Sequence, residues 1–383
     1  MRYWFFTETA YPDLPPADTY DSVRVTLPNR LLDPERAASW WDEYLAEWQA
    51  ADELGLDLMV NEHHSTATCM NAAVPLTAAI LARTTKKARI LILGNPIANR
   101  RDPVRVAEEM AMLDIFSRGR LEVGFVRGVP YEVAAANSNP VGMSERLWEA
   151  HDVIKLAWTS HDGPVNWQGK HFEHRQINIW PRPYQQPHPP IWVSTLSQSG
   201  ARPVGERGYV VATFLTGVEN TRSVFDGYRE GWSSRRDGEV PPDRLAYAGL
   251  VHVGETDDEG MAGGEKLTWY ITSNKAPSQF MDPPGYRPPA ARVAAARGVM
   301  ATSLKGLTLE QLIDRGVLFA GSAETVAGQI KRFCDEVGGF GHFLVMGQSG
   351  HMRKDETIAS LTRLARNVRP ILEDRLREPA QAL

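Results

Sequence analysis

The densest group of titratable side chains in the sequence is Glu62-His63-His64, which directly follows an apolar run. Histidine exchanges a proton near neutral pH, so His63 and His64 are the first candidates for acid and base catalysis. A metal site is less favoured, because adjacent residues at a strand end point in different directions and no His-x-x-x-His or His-Glu-x-x-His spacing occurs. We therefore expect no bound metal. A structural role for the pair, with one histidine packed at the top of a sheet and the other facing a helix, stays open.

A second group of residues is suited to binding an anion. Ser197-Gln198-Ser199-Gly200 leads from an apolar run into a helix, and the hydroxyls of Ser197 and Ser199 with the small Gly200 leave the backbone N–H groups of the helix start open to phosphate. Arg127 ends another apolar run and Arg146 follows it, and guanidinium groups pair with phosphate oxygens. The alternatives are a simple helix cap for the serines and salt bridges for the arginines.

Other familiar site patterns are weak or missing. His171 and His174 lie three residues apart, but they stand in a polar stretch without a further ligand nearby, which indicates a solvated turn. The sequence contains neither a Walker loop nor a Gly-x-Ser-x-Gly elbow, which disfavours nucleotide hydrolysis and serine-esterase chemistry.

The elements that must position these residues alternate between helix and strand. Asp102-Pro103 opens a helical segment, Gly119 ends it, and a run of branched apolar residues follows, which is the pattern of a parallel sheet. Eight such strands are predicted, at residues 2–7, 56–61, 88–94, 120–125, 190–195, 209–214, 245–253 and 341–347. Eight parallel strands with intervening helices predict a (β/α)8 TIM barrel. A doubly wound open sheet is the alternative, weakened because no Gly-x-Gly-x-x-Gly follows the first strand.

Two intervals are too long for a single connecting helix. We expect a single barrel domain over residues 1–383, with insertions within 128–189 after the fourth strand and within 254–340 after the seventh. Loops after barrel strands surround the mouth where active sites lie, so the second insertion is a candidate lid, with Trp269 to Pro289 as its aromatic and Pro-rich part.

The charge balance, the cysteine count and the length of the apolar stretches disfavour several classes of protein. The chain has 42 basic and 47 acidic residues, a net charge of −5, which disfavours a nucleic-acid or anionic-membrane partner. Two cysteines, Cys69 and Cys334, are too few for a disulfide framework, and no stretch approaches the roughly 18 apolar residues of a membrane span. We therefore expect a soluble cytoplasmic protein.

Several segments together resemble the luciferase-like flavin-dependent monooxygenases of the bacterial luciferase superfamily. The similarity is spread over most of the chain and is specific because the segments occur in order at corresponding barrel positions. The segments are Ala51-Asp52-Glu53-Leu54-Gly55-Leu56-Asp57 leading to Glu62-His63-His64, Asp102-Pro103-Val104-Arg105, Ser117-Arg118-Gly119-Arg120, Gly124-Phe125-Val126-Arg127-Gly128, Pro190-Ile191-Trp192-Val193-Ser194, Gly205-Glu206-Arg207-Gly208 and Ala320-Gly321-Ser322-Ala323-Glu324-Thr325-Val326.

The resemblance implies an activity and a cofactor. Such enzymes bind FMN at the carboxyl end of the barrel, receive it reduced from a separate NAD(P)H:flavin reductase, and react it with O2 to a C4a-(hydro)peroxyflavin that oxygenates a small organic substrate. Family members commonly associate as dimers or larger homo-oligomers. The long region before Pro34 is similar to that of members acting on largely apolar molecules.

The resemblance also assigns roles to residues. His63 corresponds to the histidine near the reactive edge of the flavin, and His64 is its supporting neighbour. Gly94-Asn95 falls where members often carry a non-prolyl cis peptide beneath the flavin ring, which places Asn95 against that ring. The residues that correspond to phosphate ligands are Arg127, Arg146, Ser197, Ser199 and Gly200.

Some features depart from the family pattern and leave alternatives open. Val126 stands where luciferase itself has a reactive cysteine, and Ser197 to Gly200 follows the phosphate loop only loosely, so light emission and an aldehyde substrate are not implied. An F420-dependent dehydrogenase on the same barrel, a non-catalytic flavin-binding protein and an unrelated barrel with a polar mouth are the alternatives.

Overall fold

Strands dominate the centre of the molecule. The computed structural model describes residues 1–273, 276–287 and 304–377. Its strands are Arg2–Thr7 (β1), Asp57–Val60 (β2), Ile90–Asn95 (β3), Leu121–Phe125 (β4), Val165–Gln168 (β5), Glu173–Ile177 (β6), Ile191–Ser194 (β7), Val210–Phe214 (β8), Leu245–Val253 (β9), Leu318–Gly321 (β10) and His342–Gln348 (β11). Each of the eight predicted strands overlaps one of these.

Eight parallel strands close into a barrel. The order around the ring is β11-β1-β2-β3-β4-β7-β8-β9, and β9 returns to β11. Closure depends on the long strand β9, which pairs with β8 from Val211↔Leu245 to Phe214↔Ala248 and with β11 from His342↔Ala246 to Met346↔Leu250. The predicted (β/α)8 barrel is therefore confirmed, and the open doubly wound sheet is excluded.

Three of the observed strands were not predicted: β5 and β6, which form a hairpin, and β10. β10 pairs in parallel with the second half of β9, from Leu318↔Leu250 to Gly321↔Val253, beyond the point where β8 ends. It has only four residues and lies inside the long interval 254–340, so its apolar run carries no length or periodicity that separates it from a buried helix segment.

Helices surround the barrel and fill the insertions. They are Pro34–Glu53 (α1), Val74–Thr84 (α2), Pro103–Ser117 (α3), Glu132–Ala135 (α4), Met143–Thr159 (α5), Gln198–Arg207 (α6), Gly217–Ser233 (α7), Asp257–Leu267 (α8), Trp269–Ser273 (α9), Ser278–Met281 (α10), Leu309–Asp314 (α11), Ala323–Glu336 (α12), Lys354–Arg363 (α13) and Arg369–Arg377 (α14). None of these helices combines the length and apolar character needed to cross a lipid bilayer.

Two of the barrel helices begin directly after an aspartate that caps their first turn. Asp33 accepts hydrogen bonds from the backbone N–H groups of Glu35 (2.9 Å) and Arg36 (3.3 Å), and Pro34 occupies the first position of α1, where its missing N–H costs nothing. Asp102 caps α3 in the same way. The long connection after β4 contains α4, α5 and the antiparallel β5–β6 hairpin, and the connection after β9 contains α8 to α12 and β10.

The amino end of the barrel is closed by aromatic rings and paired polar groups. Trp4 and Trp192 are fully buried and pack edge to face with ring centroids 5.3 Å apart. The Trp4 indole donates to His342 Nδ1 at 3.1 Å, and the Trp192 indole donates to Glu122, whose carboxylate also accepts from Arg89. The barrel is therefore a packed core, and a ligand site belongs at its carboxyl end.

Candidate functional site

Glu62 organises the end of β2. Its side chain is completely buried, and its two carboxylate oxygens accept hydrogen bonds from Arg100 Nη2 at 2.8 and 2.7 Å. His64 Nε2 lies 2.9 Å from Oε1, and the Val74 N–H donates to Oε2 at 3.0 Å. The hydrogen bond to Glu62 raises the pKa of the His64 imidazole, and this effect exceeds that of burial, which lowers it. The buried Glu62 carboxylate thus lies between Arg100 and His64 and holds both side chains at the end of β2.

His63 is held by a carboxylate from the insertion after β4. Its Nδ1 lies 2.9 Å from Glu132 Oε1 and 3.2 Å from the Tyr131 hydroxyl, and the His64 N–H donates to the same Glu132 oxygen at 2.9 Å. Burial alone would raise the pKa of Glu132, but these hydrogen bonds and the adjacent imidazoles lower it below its ordinary value. Glu132 therefore serves as an ionised acceptor that orients both histidines.

This arrangement determines which nitrogen of His63 is available. A carboxylate only accepts hydrogen bonds, so the proton on Nδ1 points to Glu132 and Nε2 is the nitrogen left to exchange a proton. No hydrogen bond engages Nε2 within the described residues, and 18% of the side chain is exposed. His63 can accept a proton at Nε2 when neutral or deliver one when charged.

A strap from the region between β1 and α1 covers this end of the barrel. Residues 22–25 run antiparallel to 65–67, with the Val25 N–H donating to Ser65 O at 2.6 Å and the Ala67 N–H donating to Val23 O at 2.9 Å. The strap carries Arg24, which is buried, lies 4.4 Å from the Tyr131 ring centroid and donates to the Tyr131 hydroxyl. The cationic side chain thus joins the network behind His63.

Asn95 lies at the end of β3, and only the oxygen of its side-chain amide has a hydrogen-bond partner among the described residues. A Cβ on Gly94 would lie 2.2 Å from Cγ1 of Val126, so only glycine permits this approach of β3 to β4. The peptide bond before Gly94 is cis, one bond earlier than the Gly94-Asn95 link singled out in the sequence. Asn95 Oδ1 accepts from Arg100 Nε at 3.4 Å, whereas the buried Nδ2 has no partner among the described residues. A buried unpaired N–H group indicates a missing acceptor.

The two predicted phosphate arginines differ in their contacts. The Arg127 guanidinium stacks on Tyr286, 4.0 Å from the ring centroid, and the Tyr286 hydroxyl donates to Gly128 O at 2.7 Å. Arg146 donates from Nε to Ala98 O at 2.9 Å and from Nη2 to a second carbonyl of the same loop at 3.3 Å. These bonds give Arg146 a structural task, which is to fix the loop that follows β3.

Ser197, Ser199 and Gly200 form the exposed start of α6. Ser197 is the N-cap and accepts a hydrogen bond from the Gly200 N–H at 3.2 Å. Ser199 and the backbone of the first turn face solvent at the carboxyl end of β7. The sequence interpretations of an N-cap and of an anion site are compatible, because the cap uses only one of the free N–H groups of the helix start.

The residues at the mouth fit a flavin phosphate cofactor. The N-terminus of a ten-residue helix favours a phosphate, and the buried Asn95 Nδ2 has no hydrogen-bond partner among the described residues. Within the described residues, no group of three His, Cys, Asp or Glu side chains has the arrangement of a metal site. His171 and His174 lie at the distant β5–β6 hairpin, where the nearest acid to His171 Nε2 is Glu145 at 3.7 Å.

The described part of the predicted lid meets the mouth. Tyr270 on α9 packs edge to face on Phe214 at the end of β8, with ring centroids 6.0 Å apart, and Phe214 packs likewise on Phe6 of β1 at 6.0 Å. Residues 274–275, Pro288 and Pro289 of the predicted lid lie outside the described residues. These contacts give the mouth an apolar surface on the side of β1 and β8.

Sequence reasoning missed Glu132, Tyr131 and Arg24. Tyr131-Glu132 lies close behind the barrel strand β4, and an acid so near a strand end was the available signal. Arg24 lies in a segment without helix or strand periodicity, and nothing in its surroundings marks it as buried. Gln348, one of the polar residues at the end of β11, turns away from the mouth and donates to Glu47 of α1 at 2.9 Å.

Known proteins resemble this chain in sequence. A family model described as luciferase-like monooxygenase matches residues 23–339. The oxygenase component of a flavin-dependent trigonelline monooxygenase from Acinetobacter baylyi is 32% identical over 247 residues, which cover 63% of this chain and 67% of that protein.

Solved structures share the fold. The oxygenating constituent of 3,6-diketocamphane monooxygenase from Pseudomonas putida, a type II Baeyer-Villiger enzyme solved with FMN, superposes with a TM-score of 0.72 at 19% identity, covering 97% of this chain and 98% of that one. An F420-dependent secondary alcohol dehydrogenase superposes with a TM-score of 0.64 at 18% identity, covering 97% and 99% of the two chains. The barrel alone therefore does not select between the two cofactors.

Proposed function

Because this chain belongs to the luciferase-like monooxygenase family, we propose that it uses reduced FMN and O2 to insert one oxygen atom into a small, largely apolar organic compound. The observation that carries the proposal is the hydrogen bond between His63 and the Glu132 carboxylate at the barrel mouth, where His63 follows β2 and the neighbouring strand β3 ends in Asn95. A proton-exchanging group and a site for a polar heterocycle are what a flavin oxygenase requires from its protein.

The proposed cofactor contacts divide between two ends of the flavin. Ser197, Ser199 and Gly200 bind the phosphate with the hydroxyls and N–H groups of the α6 start, and Arg127 supplies the positive charge. Asn95, whose Nδ2 has no partner among the described residues, would hold the ring system. Arg146 contributes by holding the loop after β3 in place.

The protein's proposed part in the chemistry is the control of a proton. Bound reduced flavin supplies the activation of O2. His63 exchanges a proton at Nε2, Glu132 keeps that nitrogen aimed at the mouth, and His64 with Glu62 anchors the loop that carries both histidines. A proton can be exchanged at one defined nitrogen only if the imidazole is held in a single tautomer.

Shelter from water is the second proposed task. Activated oxygen species on flavins are lost when water enters, so the mouth must be apolar and covered. Phe6, Leu93 and Tyr270 are buried in one apolar cluster, and Val126 and Phe214 pack against it. This lining is also why we propose an apolar substrate.

The proposal includes a supply of reduced flavin from a separate NAD(P)H:flavin reductase. The trigonelline relative is named as an oxygenase component, which implies that another component provides its reduced cofactor. In this chain the phosphate-binding sequence Gly-x-Gly-x-x-Gly for a dinucleotide does not follow the first strand. We therefore propose that the chain acts as the oxygenase of a two-component system.

The experiment is rapid mixing of the anaerobic complex with reduced FMN against oxygenated buffer, with flavin absorbance recorded in time. A transient that precedes oxidised FMN supports oxygen activation. Immediate oxidation, combined with tight F420 binding in a parallel titration, would replace the proposal with the dehydrogenase alternative. Failure to bind FMN or F420 in either redox state would reject a flavin-type function altogether.

We also propose a homodimer. α2 and α3 pack together and expose an apolar surface consisting of Leu76 (69% exposed), Ile80, Met112, Ile115 and Phe116. A patch of five large apolar side chains on two adjacent helices is costly in water, and a second copy related by a two-fold axis would cover it with the same side chains.

A further inference from the structure

A cleft with a volume of about 350 Å³ lies between the C-terminal ends of α2 and α3, next to the amino ends of the strands that follow these helices. Sites for small molecules have volumes of roughly 300–1,000 Å³. Among the described residues that line the cleft, Arg83, Lys86, Arg118 and Arg120 are cationic and none is acidic. A concave surface with one sign of charge attracts ions of the opposite sign, so the cleft suits an anion.

Arg120 places a half-buried positive charge in the wall of the cleft. Its guanidinium donates to Ala82 O at 2.9 Å, to Ala88 O at 2.7 Å and to Ser117 O at 3.1 Å. Every acceptor of this side chain among the described residues is an uncharged carbonyl or hydroxyl oxygen. Burial lowers the pKa of the Arg120 guanidinium, and the charge of Asp52 offsets this effect only in part. The positive charge of Arg120 is therefore incompletely balanced.

The other three cations of the cleft have no counter-charge bound to them. The side chains of Arg83, Lys86 and Arg118 are exposed and form no hydrogen bond or ion pair with the described part of the chain. Cations often stand at helix C-termini because they offset the partial negative charge of the last carbonyl groups. Arg120 already binds carbonyl groups at the ends of both helices, so this function does not account for three further cations.

The backbone of Arg118 gives a second reason to assign its side chain a role. Arg118 ends α3 in the left-handed region with φ +54°, and Gly119 follows with φ +81°. Glycine adopts this conformation without steric cost, whereas an arginine there destabilises the folded chain. No contact of the Arg118 guanidinium with the described residues offsets this cost. An unfavourable backbone conformation that is retained in this way is typical of functional sites.

We propose that this cleft binds the phosphate groups of a small polyphosphorylated molecule. The inference does not depend on the proposed flavin function. A guanidinium pairs with two phosphate oxygens at once, and the ammonium group of Lys86 adds a point charge. One phosphate monoester carries at most about two negative charges at neutral pH, so four cations around one cleft favour a ligand with two or more phosphate groups. The phosphate groups belong either to an inorganic polyphosphate or to a nucleotide.

Isothermal titration calorimetry with inorganic pyrophosphate and with ADP, at constant ionic strength, tests the inference. Wild-type protein should bind one equivalent per chain, and Lys86→Gln and Arg118→Gly should each raise the dissociation constant about fivefold. Lys87→Gln is the control, because Lys87 is exposed beside the cleft but is not part of its lining. ADP carries the same two phosphate groups, so tighter binding of ADP identifies a nucleotide, and equal or weaker binding identifies an inorganic polyphosphate.

The melting temperature separates a binding role from a structural one. Arg118→Gly relieves the left-handed conformation at the end of α3, so the variant should unfold at the same or a higher temperature than wild type while it binds pyrophosphate more weakly. A lower melting temperature would show that the arginine is kept for the fold.

Three binding results would overturn the inference. Wild type that binds neither probe at about 1 mM would reject the site. Dissociation constants that are equal in wild type, Lys86→Gln and Arg118→Gly would remove these residues from it. A loss of affinity in Arg127→Ala but in neither cleft variant would place the anion at the barrel mouth. None of these results depends on FMN binding or on oxygen activation, so the failure of this inference is distinguishable from the failure of the proposed function.

Discussion

Glu47 of α1 carries a carboxyl group in a place that disfavours its charge. Its side chain is completely buried, Oε1 accepts from Gln348 Nε2 at 2.9 Å, and Oε2 has no partner within the described ranges. Burial raises the pKa of Glu47 from 4.5 to about 8, and the hydrogen bond from Gln348 only partly offsets this effect. At neutral pH the folded protein therefore holds Glu47 largely protonated.

The raised pKa makes the stability of the fold depend on pH. Between about 4.5 and about 8 the folded state binds a proton that the unfolded chain has released, so the free energy of unfolding falls as pH rises through this window. At about 1.4 kcal/mol per pKa unit, the loss amounts to at most about 5 kcal/mol. Glu47→Gln keeps the size and a hydrogen-bonding oxygen but cannot ionise, so it removes this loss.

Urea unfolding at pH 5 and pH 9 measures the effect. Wild type and Glu47→Gln should have similar free energies of unfolding at pH 5, and the variant should be the more stable protein at pH 9 by several kcal/mol. Glu53→Gln, on the exposed end of the same helix, controls for the loss of a negative charge. A stability difference between wild type and Glu47→Gln that is the same at both pH values would refute the reasoning.

Three further predictions concern the mouth and the surface. His63→Ala should bind FMN with wild-type affinity but form oxygenated product about 10²-fold more slowly or worse, while the exposed His161→Ala serves as control; product at the wild-type rate would remove His63 from the chemistry. Arg127→Ala should weaken FMN binding about tenfold and leave riboflavin, which lacks phosphate, unaffected; an equal loss for both ligands would contradict the phosphate role. Leu76→Glu should shift sedimentation from dimer to monomer, and an unchanged dimer would place the interface elsewhere.

The barrel could be predicted from sequence because its signals are local. Buried apolar runs end in polar residues, Asp-Pro pairs start helices and glycines end them, so the strand positions follow from the order of the segments. Ser197 was identified by the same reasoning, since an N-cap is set by its immediate neighbours. The two histidines were found because they directly follow a strand.

The network behind His63 could not be predicted, because it is built from distant parts of the chain. Glu132 reaches His63 across 69 residues from a helix of only four residues, too short to leave a periodic pattern. Arg24 is buried through an isolated bridge to Thr66, and isolated pairing depends on the folded context. The phosphate role of Arg146 stays a prediction, and its hydrogen bonds to two backbone carbonyls of the loop after β3 are visible only in the fold.

The closed end of the barrel has a consequence for laboratory evolution. Trp4 is paired there with His342 and Trp192 with Glu122, whereas the mouth carries the two histidines and the unpaired N–H group of Asn95. The same strands run through both ends of the barrel, but few side chains contact both, so substitutions at the mouth leave the packing of the amino end intact. A library of variants confined to the loops after the strands can therefore explore new substrates, because the packed amino end keeps a reserve of stability against damaging changes.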